Sequence, residues 1–343
     1  RLVQLFLPVV PPSAGLYPAR QATKQKNTPM KLTLSPPPHI HTRRTVRSTM
    51  AHVLVALIPA VVCALYFFRL PALKILLVSV AACVAIEYSV NRWMLKRPNS
   101  IGDLSAVVTG VLLALNLPSS LPWWMAVAGS VMAIGVAKMA FGGLGCNIFN
   151  PALTGRVFLL ISFPAAMATW PLPGEAGADG ATGATILTLV KTAGADPHAF
   201  AQSDLALGNM PGSMGEVSAV ALLLGFAYLL VTKVIRADIP FTVIAGLIIV
   251  DFLAGYPAEV DILSGGLLLG AIFMATDYST SPMTRMGMLV YGLAIGAITA
   301  CIRRWGAYPE GMSFAIPLMN GATPHTNRYF KPERFSIHQA TPQ

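Results

Sequence analysis

The sequence predicts an all-α polytopic membrane protein of about ten transmembrane helices, arranged as two inverted five-helix repeats. Three observations predict it. Hydrophobic residues make up 55% of the 343 positions and charged residues only 11%, less than half of the roughly 25% found in soluble globular chains. A mean hydropathy of +0.63 leaves too little polar side chain to coat a water-exposed particle. Apolar runs of bilayer length then recur along the whole chain. Together these exclude a cytosolic enzyme, a disordered tail and a disulfide scaffold.

A helix crossing about 30 Å of hydrocarbon needs about 20 mainly apolar residues. On that template the spans fall at 49–68, 72–90, 101–117, 122–141, 149–166, 216–234, 239–255, 260–276, 287–303 and 310–323. The fifth opens on Asn150-Pro151, and the last is short and holds Pro317 and Asn320. The chain divides accordingly. Residues 1–47 form a basic cytoplasmic segment, with the native start expected at Met30. Residues 48–166 form a first membrane half, 167–214 an outer loop, 215–324 a second membrane half and 325–343 a cytoplasmic tail.

The formal charge of +10 would suit a nucleic-acid binder, but its location points to lipid and no nucleic-acid partner is expected. Residues 1–47 hold eight Lys and Arg and no acid, immediately before the first span. With the N-terminus inside and spans alternating, the inner side also collects Arg92, Lys96, Arg97, Lys138, Arg156, Lys233, Arg236, Arg285, Arg328, Lys331 and Arg334. The outer side receives Arg69, Lys74, Lys191, Arg303 and Arg304. Nineteen against five is the bias of the positive-inside rule. Both termini are therefore expected in the cytoplasm.

The four cysteines, Cys63, Cys83, Cys146 and Cys301, have no metal-ligand spacing. They are expected to pack as small hydrophobes. A faint internal repeat relates the glycine pattern after Gly129 to that after Gly292. Each copy follows a segment opening with an acid (Asp103, Asp261) and a proline turn (Pro118, Pro282). Five spans separate the copies, so they would run in opposite directions through the bilayer.

The outer loop contains Asp179-Gly180-Ala181-Thr182-Gly183-Ala184-Thr185 ahead of a short apolar helix that Gly194 would end. A plain Asp-Gly turn feeding a helix is one reading. The other is a small-residue segment able to enter an enzyme pocket, with one hydroxyl beside helix amides that favour a phosphate. The physics alone weighs them equally.

The seven residues resemble the threonine flavinylation motif, in which FMN is joined through its phosphate to the final threonine. Further stretches resemble the family of Rnf-complex D subunits: Ser35-Pro36 with His41–Arg44, Asp103–Gly110, Phe141–Leu153, Leu159–Pro164, Gly208–Glu216, Phe273–Asp277 and Tyr308–Gly311. The likeness covers about residues 30–335 and departs at Cys146, where the family usually has a polar residue. It is shared more weakly with the B subunit of the Na⁺-translocating NADH:quinone reductase, which usually carries a longer N-terminal region and longer insertions between its early spans.

The resemblance implies a subunit of an ion-translocating ferredoxin:NAD⁺ oxidoreductase in the bacterial inner membrane. It implies covalent FMN on Thr185, held by the motif residues Asp179, Gly180, Thr182, Gly183 and Ala184. It also implies the A, B, C, E and G subunits of the Rnf complex as partners, which would carry the NAD and iron–sulfur sites, and a flavin transferase for maturation. A tethered flavin leaves the protein only to tune its potential. Further noncovalent flavins are left open.

Ion transfer needs ionisable groups at membrane depth, which are costly there. Glu87 and Asp251 are the deepest acids and the ion-path candidates. Asp103, Asp277 and Glu310 lie nearer span ends, where helix capping competes as an explanation. Asn147 and Asn150 offer either oxygen ligands or caps for the break before Pro151. Carboxylates and amides serve Na⁺ and H⁺ alike. A channel or secondary transporter with no redox role is the competing class, separated only by the outer-loop motif and the family likeness.

Overall fold

The computed structural model describes residues 45–96, 100–172, 182–192, 208, 211–216 and 218–331. Most of the basic N-terminal segment, including Met30, and residues 332–343 of the expected C-terminal tail fall outside these residues. The helices are α1 (Val46–Ser89), α2 (Ser105–Leu115), α3 (Trp123–Ser130), α4 (Pro151–Ser162), α5 (Pro164–Met167), α6 (Ile186–Thr192), α7 (Ala219–Val231), α8 (Asp238–Ala254), α9 (Ala258–Leu263), α10 (Leu267–Leu269), α11 (Arg285–Trp305) and α12 (Met312–Tyr329). Wider π turns extend α1 through Val90–Leu95, α3 through Val131–Met139 and α10 through Gly270–Met274. A two-stranded antiparallel ribbon, β1 (Trp170–Pro171) with β2 (Thr182–Gly183), pairs Trp170 with Gly183 and Pro171 with Thr182.

The side chains are arranged inside-out relative to a water-soluble protein. Val231 and Phe252 are each 81% exposed, whereas Glu87 and Asp251 are 0% exposed. An apolar exterior over a core holding paired charge suits lipid rather than water. Among the described residues, two helical stretches, Val46–Leu95 and Arg285–Trp305, are long and apolar enough to cross a bilayer. The chain is a helical membrane protein.

α1 begins where Thr45 caps it, the hydroxyl accepting from Ser48 N at 3.2 Å. It breaks at Arg69, whose φ of 51° and ψ of −131° are not helical. Val61, Leu65, Ala72 and Leu76 line one small cavity with Leu115 and Met214. In a straight helix, Val61 and Leu76 would stand about 22 Å apart. The chain therefore doubles back at Arg69, close to the expected boundary between spans 49–68 and 72–90.

Three expected spans are broken, the fifth (149–166) where Phe163 at φ −134° and ψ 58° separates α4 from α5. The run at 101–117 is a short 3₁₀ turn, Ile101–Asp103, then Leu104 at φ 65°, then α2. Eleven residues reach about 16 Å, half the hydrocarbon thickness. The run at 260–276 stops at Ser264, turns through Gly265 and Gly266 at φ 67° and 66°, and restarts as α10. Left-handed backbone ends a helix at any hydrophobicity, so hydropathy alone missed the breaks at Leu104 and at Gly265-Gly266. The last helix is longer than expected: α12 continues through Pro324 to Tyr329, into the segment assigned to the tail. Cys83 is buried and Cys63 half-buried, but Cys146 and Cys301 are exposed, against the expectation that all four pack inside.

α8 and α11 approach backbone to backbone. A Cβ on Gly246 would collide with the Leu293 carbonyl, and one on Gly296 with the Val243 carbonyl. Small residues permit such contact, which is how membrane helices associate without a hydrophobic drive. Gly246→Val or Gly296→Val should force the pair apart and destabilise by about 1–3 kcal/mol or more. Gly102→Ala, whose Cβ meets nothing within 4 Å, should be neutral. Thermal midpoints of the detergent-solubilised protein decide it, and equal midpoints for all three would contradict this packing.

Candidate functional site

Thr185 stands at the head of α6. Its Oγ1 accepts from Thr188 N at 3.2 Å and shares a 2.8 Å hydrogen bond with Thr188 Oγ1, while its carbonyl accepts from Leu189 N at 2.9 Å. This is an N-cap. The first-turn amides of Ile186 and Leu187 have no acceptor within the helix, so a phosphoester on Thr185 would meet free N–H groups. The site thus fits a phosphate-linked group, with release of the Thr188 contact. Ala184 is exposed. A Cβ on Gly183 would press Leu172 Cδ2 at 3.0 Å and the Pro211 ring at 3.3 Å, so a larger residue there would have to move these neighbours. Asp179, Gly180 and Ala181, and the expected helix end at Gly194, lie outside the described residues. For Thr182 only the backbone is described, in β2.

α6 is fastened to the bundle at both ends of its short length. Ile186 and Val190 pack with Val260 and Leu263. Lys191 Nζ donates to the carbonyls of Ile302 (3.2 Å), Gly306 (2.5 Å) and Tyr308 (3.0 Å). These are carbonyls at and beyond the C-terminal end of α11, where a lysine is a suitable partner. Burial, and then the nearby Arg304, lower the Lys191 amino group below its ordinary pKa.

Both ion-path candidates hold a basic partner. Glu87 Oε2 lies 2.6 Å from Lys138 Nζ, which also donates to Ser105 Oγ at 2.6 Å. Ser105 Oγ donates to Asp103 Oδ1 at 2.5 Å, and Ser100 Oγ to Glu87 Oε1 at 2.5 Å. Asp103 is thus drawn into the same cluster as Glu87. In the other half, Asp251 Oδ1 lies 3.0 Å from Arg304 Nη2, which also binds Asp261 Oδ2 at 2.5 Å. Arg304 stacks over Tyr256 at 3.9 Å. Its neighbour Arg303 donates to the carbonyls of Asp261 (2.5 Å), Ser264 (3.0 Å) and Gly265 (3.1 Å), closing the break before α10.

Between these clusters the broken helices meet. Asn116, just past α2, faces Met274 at the end of the α10 extension, with Nδ2 3.7 Å from the sulfur. Arg156 of α4 donates to Asn116 Oδ1 at 2.6 Å and pairs with Glu310. Asn150 caps α4 by accepting from Ala152 N and Leu153 N at 3.1 and 3.3 Å, and donates to the Met274 carbonyl at 3.2 Å. Asn147 donates to Asp277 Oδ2 at 3.4 Å. A cavity lined in part by Ser105, Lys138, Asn147, Asn150 and Asp277 opens at this side of the bundle.

The sequence counted Lys138, Arg156, Arg303 and Arg304 only as orientation charges, and it gave Glu216 no role beyond its place in a family-like stretch. The signal was present: a cation inside an apolar span costs as much as an acid there. Thr323, which shares the Gly-Ala-Thr ending of the motif, sits inside α12 with Oγ1 donating to the Thr280 carbonyl at 2.8 Å.

A family model described as "NQR2, RnfD, RnfE family" matches residues 33–336. The D subunit of the Na(+)-translocating ferredoxin:NAD(+) oxidoreductase complex of Acetobacterium woodii is 44% identical over 313 residues, covering 90% of this chain and 96% of that protein. The D subunit of the ion-translocating oxidoreductase complex of Stutzerimonas stutzeri is 39% identical over 332 residues, covering 85% and 93%. The D subunit of the proton-translocating ferredoxin:NAD(+) oxidoreductase complex of Clostridium ljungdahlii is 38% identical over 317 residues, covering 88% and 96%.

Proposed function

The chain belongs to the NQR2, RnfD, RnfE family, and from that premise we propose that it is the D subunit of an ion-translocating ferredoxin:NAD⁺ oxidoreductase in a bacterial inner membrane. One observation carries the redox reading: the Thr185 hydroxyl caps a helix that Lys191 clasps to the membrane bundle. FMN esterified there would supply one-electron relay chemistry at a fixed place. The chain's own residues do the rest. The α6 amides receive the phosphate, Gly183 lets the segment pass Pro211, and Lys191 holds the helix against α11. The A, B, C, E and G subunits of the complex and a flavin transferase are the proposed partners. The relatives' names include both Na⁺ and proton translocation, so the ion remains Na⁺ or H⁺.

The proposed topology has ten spans in two inverted repeats, the α6 loop outside and both termini inside. Its support is the recurrence of one charge pattern. Glu87, Asp103 and Lys138 in the first half are matched by Asp251, Asp261 and Arg304, each about 160 positions later. A helix break follows in each half, at Leu104 and at Gly265-Gly266. If the halves are inverted, the two ion-pair clusters lie at opposite faces. Glu87 and Asp251 then act in ion transfer as gates that release Lys138 or Arg304, rather than as free carboxylates.

Three outcomes are expected. Thr185→Ala should abolish covalent flavin, Thr185→Ser should retain part of it and Thr323→Ala should leave it intact. Mass spectrometry of the Asp179–Lys191 peptide reads the adduct, and flavin persisting in Thr185→Ala would sink the assignment. For topology, an impermeant thiol reagent added outside should reach a cysteine placed at position 177 and not one at 338; the reverse pattern would invert the arrangement. Glu87→Gln and Asp251→Asn should lower ion uptake per electron transferred in vesicles while assembly persists. Normal uptake in both would remove these residues from the ion path.

A further inference from the structure

Five acids are buried among the described residues: Glu87, Glu216, Asp251, Asp261 and Glu310. Four pair with Lys138, Arg304, Arg303 and Arg156. Glu216 is 5% exposed, has no ion pair among the described residues, and its Oε1 has no hydrogen-bond partner. Ser213, in the same turn, accepts from Glu216 N at its carbonyl (3.0 Å), and its fully buried hydroxyl lies beside the carboxylate. The turn is fixed to the end of α2 by Gly215 N donating to the Leu115 carbonyl at 2.7 Å.

The carboxylate lies between two glycines. A Cβ on Gly212 would stand 3.2 Å from Oε2, and one on Gly266 2.8 Å from Oε1. Beside it is a cavity lined by Glu216 and by apolar residues including Ala219, Leu222, Leu263 and Leu267. It has room for a single water-sized occupant. Of the charged groups around it, Arg156 and Glu310 pair with each other, and Arg303, beyond Gly265, pairs with Asp261. A carboxylate with no counter-charge in such surroundings is neutralised by a proton or a small cation.

Resting on the proposed redox role, we propose that Glu216 and Ser213 form the exchangeable monovalent-cation site, taking H⁺ or Na⁺, of this subunit. Its link to the Thr185 segment is one turn, Gly265-Gly266. Leu187, two residues after Thr185, occupies the space that a Cβ on Gly265 would need, while Glu216 occupies that of Gly266. A group held on Thr185 would gain one negative charge with each electron it accepted. One H⁺ or Na⁺ entering at Glu216 would balance that charge and would leave as the electron was passed on. No covalent bond changes except the O–H of the proton case.

The test is carbodiimide labelling of the whole detergent-purified complex. A protonated Glu216 adds across the N=C=N bond of dicyclohexylcarbodiimide and rearranges to a stable N-acylurea, read in the mass of its peptide. Labelling that NaCl suppresses and choline chloride does not identifies a Na⁺ site; labelling indifferent to NaCl that falls as pH rises identifies a proton site. A Glu216 that stays unlabelled at every pH overturns the proposal. In vesicles, Glu216→Gln should cut ion uptake per electron about tenfold with covalent flavin retained, and Glu216→Asp should keep part of it. Should Glu216→Gln not assemble, Gly212→Ala, crowding Oε2, should lower labelling severalfold with flavin still attached; unchanged labelling or unchanged uptake counts against the site. Loss of the redox reading would appear separately, as a chain without covalent flavin.

Discussion

An isolated charge in hydrocarbon costs several kcal/mol even after relaxation, and the interior of this bundle is organised by that penalty. Lys138 sits between Glu87 and Ser105, Arg304 bridges Asp251 and Asp261, and Arg156 joins Asn116 to Glu310. Each cluster draws its members from helices far apart in sequence. Pairing therefore fixes which helices are neighbours in a setting where apolar contact gives little preference, because lipid is as apolar as leucine.

The same penalty applies to bare backbone. Helices α2 and α10 end inside the protein, and their exposed peptide groups are met one by one. The Leu115 and Leu117 carbonyls accept from Gly215 N and Met214 N, and the Met274 carbonyl accepts from Asn150 Nδ2. Arg303 meets the carbonyls at the break before α10. Irregular backbone at this depth survives only where protein covers it. The turn that carries Glu216 is part of that cover, which is why an unpaired acid lies so close to both broken helices.

Much of this was legible in the sequence, and the remainder was hidden for identifiable reasons. Glu87 and Asp251 stood out because a carboxylate in an apolar run is rare, and both are fully buried. Asn150 before Pro151 announced a helix start, and the cap is there. The head of α6 followed from a small-residue turn before an apolar run. The break at Leu104 had no such sign, since leucine rarely adopts left-handed backbone and hydropathy does not register it. Gly265-Gly266 was visible but lay inside a run otherwise long enough to span. Ion-pair partners could not be read at all, because the separation from Glu87 to Lys138 or from Asp251 to Arg304 has no local periodicity.

Asn116 and Met274 stand at the C-terminal ends of α2 and of the α10 extension, and their side chains meet. Each end carries the equivalent of about half a negative charge, so their meeting point is an electrostatic well in the middle of the protein. Arg156 reaches into that well through Asn116 and is itself balanced by Glu310. The guanidinium behaves as a tethered counterion, filling a place that would otherwise draw any passing cation. Displacing the guanidinium would uncover that negative potential and strand Glu310 at the same time, so the two helix ends, the arginine and the acid stand or fall together.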